Sequence, residues 1–312
     1  LAVNVLAAGE DGFKLDCSFT ANRLFELSKM DGAIVIDKDL TQILRANYHL
    51  NPDPSLPTSE TGMRHRTAAR MSLLTRAYVI SVSERRQVIT LYVDGRGHEI
   101  RTVPELMTSV NQLLVSMQNT RAQLDRSLLR LTTLELDNYV TFEDVADTLY
   151  LFEVLMTEAE GLDRVILQLG GEGRTIKMQR DEFIGDMDEK YTLMIRDYAA
   201  DSSQESALAI RRALHDINNY KLRSPERIAQ LLGYEGKSED STISPLGLRT
   251  LSNVSVVRRG MADRIVDEYG SLSELMDDIE QNPENPDRLD DLGVDNPGIL
   301  ADSLYRMWGK RA

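Results

Sequence analysis

The sequence predicts an α/β domain followed by an all-helical remainder, and three observations carry that expectation. Up to about residue 103, short β-branched runs alternate with helical ones; at Pro104 a long heptad-like seam begins; beyond it, apolar residues recur at helical spacing. The apolar run Leu1 to Leu6 is expected to be a strand, as are Ala33 to Ile36, Tyr78 to Val82 and Val88 to Val93. The last is closed by the turn signal Asp94-Gly95. Helices are expected at about Ala21 to Met30 and Arg64 to Thr75, the second with Ala68, Met71 and Leu74 as its apolar face. Asn51-Pro-Asp-Pro-Ser-Leu-Pro57 cannot be regular helix, because each proline removes a donor and restricts the residue before it; it is a loop leading into Thr58 to Gly62.

The seam after Pro104 comprises Leu106, Val110, Leu113, Met117, Leu124, Leu128 and Leu131. It suits either packing within its own domain or a coiled-coil contact between subunits. Thr141-Phe-Glu-Asp144 reads as a capping box, after which Val145, Leu149, Phe152 and Met156 share one face. Gly170-Gly-Glu-Gly173 resembles a phosphate loop, but no Gly-Lys-Ser/Thr follows, so it reads as an interhelical turn. Ser238 to Ser244 is polar and expected to link to a compact helical tail. These signals divide the chain into 1–103, a helical spine over 104–240 and a tail over 245–312.

No apolar run approaches the roughly 20 residues a membrane span needs, and no signal-peptide-like start is present. Cys17 stands alone, which excludes an intramolecular disulfide or a thiolate metal cluster and fits the cytoplasm. The chain opens on Leu1 rather than Met, so further residues are expected ahead of it. Formal net charge is −14, balanced over the first 120 residues and acidic beyond them. Any nucleic-acid contact must therefore come from local geometry rather than the overall field.

Two stretches carry the chemistry: Lys29-Met-Asp-Gly-Ala-Ile-Val-Ile36 and Ser59-Glu-Thr-Gly-Met-Arg-His-Arg-Thr-Ala68. Asp31 and Gly32 precede a buried strand, where a carboxylate serves packing poorly and a glycine permits close backbone approach. Arg64, His65 and Arg66 fall in the first turn of a helix, whose free N–H groups and dipole favour an anion. Cations placed there oppose the macrodipole unless an anion offsets them. On residues alone, Asp31 is a metal ligand or base and Arg64 and Arg66 are phosphate clamps; a surface turn and a solvated helix start fit the same residues.

Asp31-Gly32-Ala33 followed about thirty residues later by Arg64-His65-Arg66 is similar to the paired motif of the diadenylate cyclases. Glu26-Leu-Ser-Lys-Met30 and Asn51 to Gly62 resemble the DNA-integrity scanning branch of that family. The resemblance implies a nucleotidyl cyclase domain, a mixed twisted sheet flanked by helices, that condenses two ATP molecules into cyclic di-AMP at a subunit interface. It implies Mg2+ or Mn2+ as cofactor, with Asp31 binding the metal and activating the 3′-hydroxyl. Arg64 and Arg66 would hold the phosphates, with His65 either touching phosphate or orienting the loop. Gly32, Ala33, Gly62, Met63 and Thr67 are implied to bind nucleotide, Leu50 to pack on adenine, and Ser83 and Arg86 to reach it from beyond a strand. Met63 departs from the threonine usual before Arg-His-Arg, and Asp11-Gly12-Phe13 from Gly-Gly-Phe.

Leu251 to Ala262, leading into a helix with Ala262, Ile265, Val266 and Tyr269 on one face, looks like half of a helix-hairpin-helix pair. Leu289 to Val294, with Gly293 at the hairpin, precedes the other helix, expected over Ile299 to Met307 with Pro297 interrupting its start. Such hairpins bind the DNA backbone through peptide N–H groups and need few basic residues; Arg258, Arg259 and Arg264 would add phosphate contacts. Packing or protein contact is the other reading of the hairpins. The expected partners are ATP, branched or damaged DNA and further copies of the chain, an octamer by resemblance, with no membrane. A non-catalytic, ATP-sensing scaffold that binds DNA junctions is the competing function.

Overall fold

The computed structural model describes residues 2–84, 87–217, 223–258, 260–281, 288–289, 292–294 and 296–309. The chain divides into two compact units, Leu1–Glu105 and Leu106–Ala312.

The first unit is α/β. It runs α1 (Ala2–Ala7), β1 (Gly9–Glu10), β2 (Phe13–Ser18), α2 (Ala21–Leu27), β3 (Ala33–Ile36), β4 (Gln42–Leu50), α3 (Met63–Thr75), β5 (Val79–Ser83), β6 (Val88–Val93) and β7 (Arg96–Ile100). The expected mixed sheet is realised as two sheets. In one, β4 pairs with β1, β2 and β3; the other has the order β5-β6-β7. Every pairing among the described residues is antiparallel.

The central strand β4 was not legible from alternation, and its backbone explains why. Asn47 has φ +50, and the register of β3 on β4 shifts between Ala33/Val35 and again between Val35/Ile36. An inserted residue of this kind breaks the period of two, so the buried set is Ile43, Ala46 and Tyr48 instead of a strict alternation. The hairpin β6–β7 turns on Asp94 and Gly95, both with positive φ, as a two-residue turn between twisted strands requires. β7 itself, Arg-Gly-His-Glu-Ile, is exposed throughout and carries no strand pattern.

The expected strand Leu1 to Leu6 is a helix, α1. Val3 and Val5 are its only β-branched residues, alongside the good helix formers Ala2, Leu6 and Ala7, and short apolar runs do not distinguish the two states. The Tyr48 hydroxyl donates to the Leu6 carbonyl at 2.9 Å and anchors it. On α3 the buried face is His65, Ala68, Ala69, Met71, Ser72 and Thr75; Leu74, expected on it, is 46 % exposed.

The second unit is helical. Helix α4 (Val103–Leu136) packs antiparallel on α5 (Phe142–Leu169), as cross-links from Ser127 to Thr148 and from Ser116 to Glu158 require. The seam residues Leu106, Val110, Met117, Leu124, Leu128 and Leu131 are buried in this core, and Leu113 packs against it. The seam is thus satisfied within its own chain. The capping box at Thr141 and Asp144 is present, and Gly170–Gly173 is a 3₁₀ turn between helices.

There follow α6 (Arg174–Ile184), α7 (Met187–Tyr198), α8 (Gln204–His215) and α9 (Pro225–Leu231). Residues 241–243 are not an open tether: Thr242 bridges to Thr141, and Ile243 donates to the Val140 carbonyl at 2.9 Å. The tail is α10 (Leu248–Ser252), α11 (Met261–Tyr269), α12 (Leu272–Gln281) and α13 (Pro297–Trp308). Its apolar cluster includes Leu136 of α4, with Leu193 of α7 packed against it, so tail and spine share a core. Pro297 does not interrupt the last helix. It occupies the first turn behind the N-cap Asn296, where a missing N–H costs nothing.

A buried charge cluster joins tail to spine. Arg249 of α10 contacts Glu135 of α4 at 2.5 Å and Thr132 at 3.1 Å, while Tyr198 and Thr250 also donate to Glu135, at 2.6 and 2.8 Å. Asp197 accepts the N–H groups of Gly247, Leu248 and Arg249 at 2.9, 2.6 and 2.9 Å. Burial, then the neighbouring Glu135 charge, pushes the Asp197 carboxyl up to about 7.

Candidate functional site

The start of β3 and the start of α3, far apart in sequence, meet in the first unit. Asp31 stands just before β3 and Arg64 in the first turn of α3, and their carboxylate and guanidinium lie 3.7 Å apart. Both side chains are open to solvent, 93 % and 77 % exposed. A pair this exposed and this long contributes little to stability, so neither partner is committed to the other.

Gly32 has φ +86, and a Cβ there would come within 2.8–3.0 Å of Asn47 atoms, backbone included. The glycine is therefore required first by the chain itself. It lets the residue after Asp31 turn left-handed against the bulge in β4, which sets where Asp31 projects. Ala33 follows as the first residue of β3 and is half-buried, opposite Tyr48.

Helix α3 begins behind Gly62, which supplies no side-chain cap, and its first turn contains no acidic residue. Its first backbone bond is from the Arg66 N–H to the Gly62 carbonyl at 2.8 Å. The N–H groups ahead of it point out of the helix beside two exposed arginines, Arg64 and Arg66. Met63, also exposed, opens the helix; Thr67 is half-buried on its second turn.

His65 faces the other way. It is buried, and its Nδ1 lies 2.8 Å from the Tyr92 hydroxyl of β6. This hydrogen bond is the kind of contact an orienting histidine makes. Arg70, on the next turn but one, donates from Nε to the Leu56 carbonyl at 2.9 Å and so ties the proline loop to α3.

Leu50 is the last residue of β4 and half-buried; Ser83 closes β5 opposite Val88. Arg86 and Arg259 lie outside the described residues. In the tail, Arg258 and Arg264 are exposed. Gly260 and Gly293 take φ +79 and +77 with open space where a Cβ would stand, so both turns present backbone to solvent. Tyr92 and Asn47 escaped the sequence reading: one is a strand residue whose partner sits on a helix, the other a bulge that only pairing reveals.

Among the described residues no group of three or more His, Cys, Asp or Glu could hold a metal. A single carboxylate nonetheless suits Mg2+, which is commonly bound by one or two carboxylates together with substrate phosphates. Among the same residues no helix is long and apolar enough to cross a membrane.

Residues 3–97 match the family model described as DisA bacterial checkpoint controller nucleotide-binding, and residues 100–241 the one described as DisA bacterial checkpoint controller linker region. The DNA integrity scanning protein DisA of Fusobacterium nucleatum subsp. nucleatum is 38% identical over 270 residues, covering 86% of this chain and 77% of the relative. That of Symbiobacterium thermophilum is 36% identical over 303 residues, 97% of this chain and 85% of the relative. That of Streptomyces coelicolor is 36% identical over 270 residues, covering 85% and 72%.

Proposed function

The chain belongs to the DisA family of bacterial checkpoint controllers, and from that premise we propose that its first unit condenses two ATP molecules into cyclic di-AMP. The observation that carries the reading is the meeting of Asp31 with Arg64 beside an uncapped, doubly basic helix start. A carboxylate that can take a proton stands next to donors that can hold a phosphate.

In this reaction the 3′-oxygen of each nucleotide attacks the α-phosphorus of the other. A new P–O bond forms, the bond to the β-phosphate breaks, and pyrophosphate leaves. Asp31 takes the hydroxyl proton. Arg64 and Arg66 hold the phosphates with fork-shaped donors, and the free N–H groups of Met63, Arg64 and His65 receive phosphate oxygens at the helix start. Thr67 adds a hydroxyl donor, Gly32, Ala33 and Gly62 let backbone approach the nucleotide, Leu50 packs on adenine, and the family resemblance assigns Ser83 and Arg86 to the nucleotide as well. His65 orients the turn. A divalent ion, Mg2+ or Mn2+, arriving with ATP supplies charge neutralisation.

The need for cations is quantitative: two unit charges 4 Å apart interact by roughly 4 kcal/mol at an effective dielectric of ~20. Two facing triphosphates multiply that. The reaction requires two copies of the site face to face, hence a homo-oligomer, which the family resemblance makes an octamer.

The tail is assigned to branched or damaged DNA. Its glycine turns at Gly260 and Gly293 offer peptide N–H groups to the phosphate backbone, and Arg258, Arg259 and Arg264 are assigned from the sequence to add phosphate contacts, so an acidic protein binds DNA without reading sequence. Several tails in one oligomer add avidity.

The test is direct. Purified protein is incubated with ATP and Mn2+ or Mg2+, with and without a four-way DNA junction, and products are separated by chromatography. One cyclic di-AMP and two pyrophosphates are expected for every two ATP consumed, at a rate that changes with the junction. ATP binding without product under either metal would leave the non-catalytic scaffold in its place.

A further inference from the structure

We propose that Tyr92 is the positioning residue of the candidate site, acting on the two arginines through His65; the proposal rests on the cyclase reading above. Tyr92 lies in the middle of the second sheet, fully buried, opposite Val79 on one side and Gly97 on the other. A Cβ at position 97 would come 2.9 Å from Cε1 of its ring. The glycine thus leaves the room that the ring occupies.

The ring packs on Ala68 and Ala69 of α3. Residues three and four apart share a helix face, so a ring lying over these small side chains reaches the position one turn nearer the N-terminus. That position is His65, met by the hydroxyl at 2.8 Å. The ring centroids are 6.1 Å apart and tilted by 56°, so the contact is a hydrogen bond rather than a stack.

This bond matters because little else secures the turn. Gly62 gives no side-chain cap, the first turn holds no acidic residue of its own, and Arg64 and Arg66 oppose the dipole. His65 is the one residue of the triplet that is buried, and its neighbours in the chain are the two exposed arginines. Fixing its ring fixes the backbone from which both arginines project, Arg64 beside Asp31.

A double-mutant cycle on the full chain tests this. Tyr92→Phe removes one oxygen and keeps the buried ring. It should lower kcat/KM for cyclic di-AMP formation about three- to tenfold, the range that one net hydrogen bond corresponds to. In a His65→Ala background the same substitution should change kcat/KM less than twofold, because the group it acts through is gone. His65→Asn, whose amide falls near the imidazole Nδ1, should recover part of the activity only while the Tyr92 hydroxyl is present. Gly97→Ala, which displaces the ring, should reproduce the Tyr92→Phe loss and be masked in the same way.

A residue with only a packing role would lower the melting temperature alike in both backgrounds and show no masking. Unchanged turnover in Tyr92→Phe, or an equal loss with and without His65, overturns the assignment. Should the wild type make no cyclic di-AMP, the cyclase reading falls by itself. The same variants, titrated calorimetrically with ATP and Mn2+, then decide on Tyr92 by the same masking criterion.

Discussion

Arg249→Met is the substitution whose consequence the structure defines best. The residue is 2 % exposed and is a cation facing two buried carboxyl groups, Glu135 and Asp197, which stand at 1 % and 2 %. Methionine matches the stem and removes the charge. Breaking a buried pair from one side costs about 3–5 kcal/mol, because an uncompensated charge remains. For a unit of roughly two hundred residues, 1 kcal/mol corresponds to about 2–4 °C in Tm, so a fall of about 6–20 °C is expected.

The loss should depend on pH in a defined direction. Asp197 is already raised to about 7 in the folded chain against 3.8 as its ordinary value. A carboxyl raised in this way contributes stability that is fully present below about pH 4 and is lost as pH rises through about 7. Without the arginine the neutral form is favoured further, so the deficit should be larger at pH 8 than at pH 5. Circular dichroism melts and urea titrations at the two pH values measure it. Arg130→Met serves as control: Arg130 pairs with Asp144 from a side chain that is 75 % exposed, and about 1 kcal/mol or less is expected. Should Arg249→Met prove as mild as Arg130→Met, or its penalty grow toward low pH, the account of the cluster is wrong.

Four further outcomes are expected. Asp31→Asn should reduce cyclic di-AMP formation about 10²- to 10⁴-fold, the usual scale for loss of a general base, with the oligomer unchanged by light scattering. Arg64→Ala with Arg66→Ala should weaken ATP binding at least about a hundredfold, since charged hydrogen bonds contribute about 1.5–3 kcal/mol each; calorimetry measures it. Gly32→Ala should destabilise the first unit by about 1–3 kcal/mol from left-handed strain alone, with the Asn47 backbone adding to it, and lower the urea midpoint. Arg258→Ala with Arg264→Ala should weaken junction binding and flatten its salt dependence by about two phosphates while sparing basal turnover. Point substitutions are the cleaner probe there, because removing the tail would strip cover from Leu136, Leu193, Glu135 and Asp197.

Much of the molecule was legible along the chain. Strands β3 and β6, the long helix with its buried seam, the capping box and the paired Asp31 and Arg64-His65-Arg66 stretches follow from periodicity, propensity and motif, each set by residues close together in sequence. The identity of α1 was not, since a short apolar run satisfies helix and strand equally until something packs on it. Nor was β4, whose bulge at Asn47 erases the alternation that marks a strand.

What only the tertiary structure decided is who meets whom. That Gly32 answers to the Asn47 backbone, that Tyr92 holds His65 from the other sheet, and that Arg249 closes a charge cluster with Glu135 and Asp197 depend on register and on which helix face is turned inward. Those are long-range choices, settled by the burial of whole faces, and composition around any one residue carries no record of its distant partner.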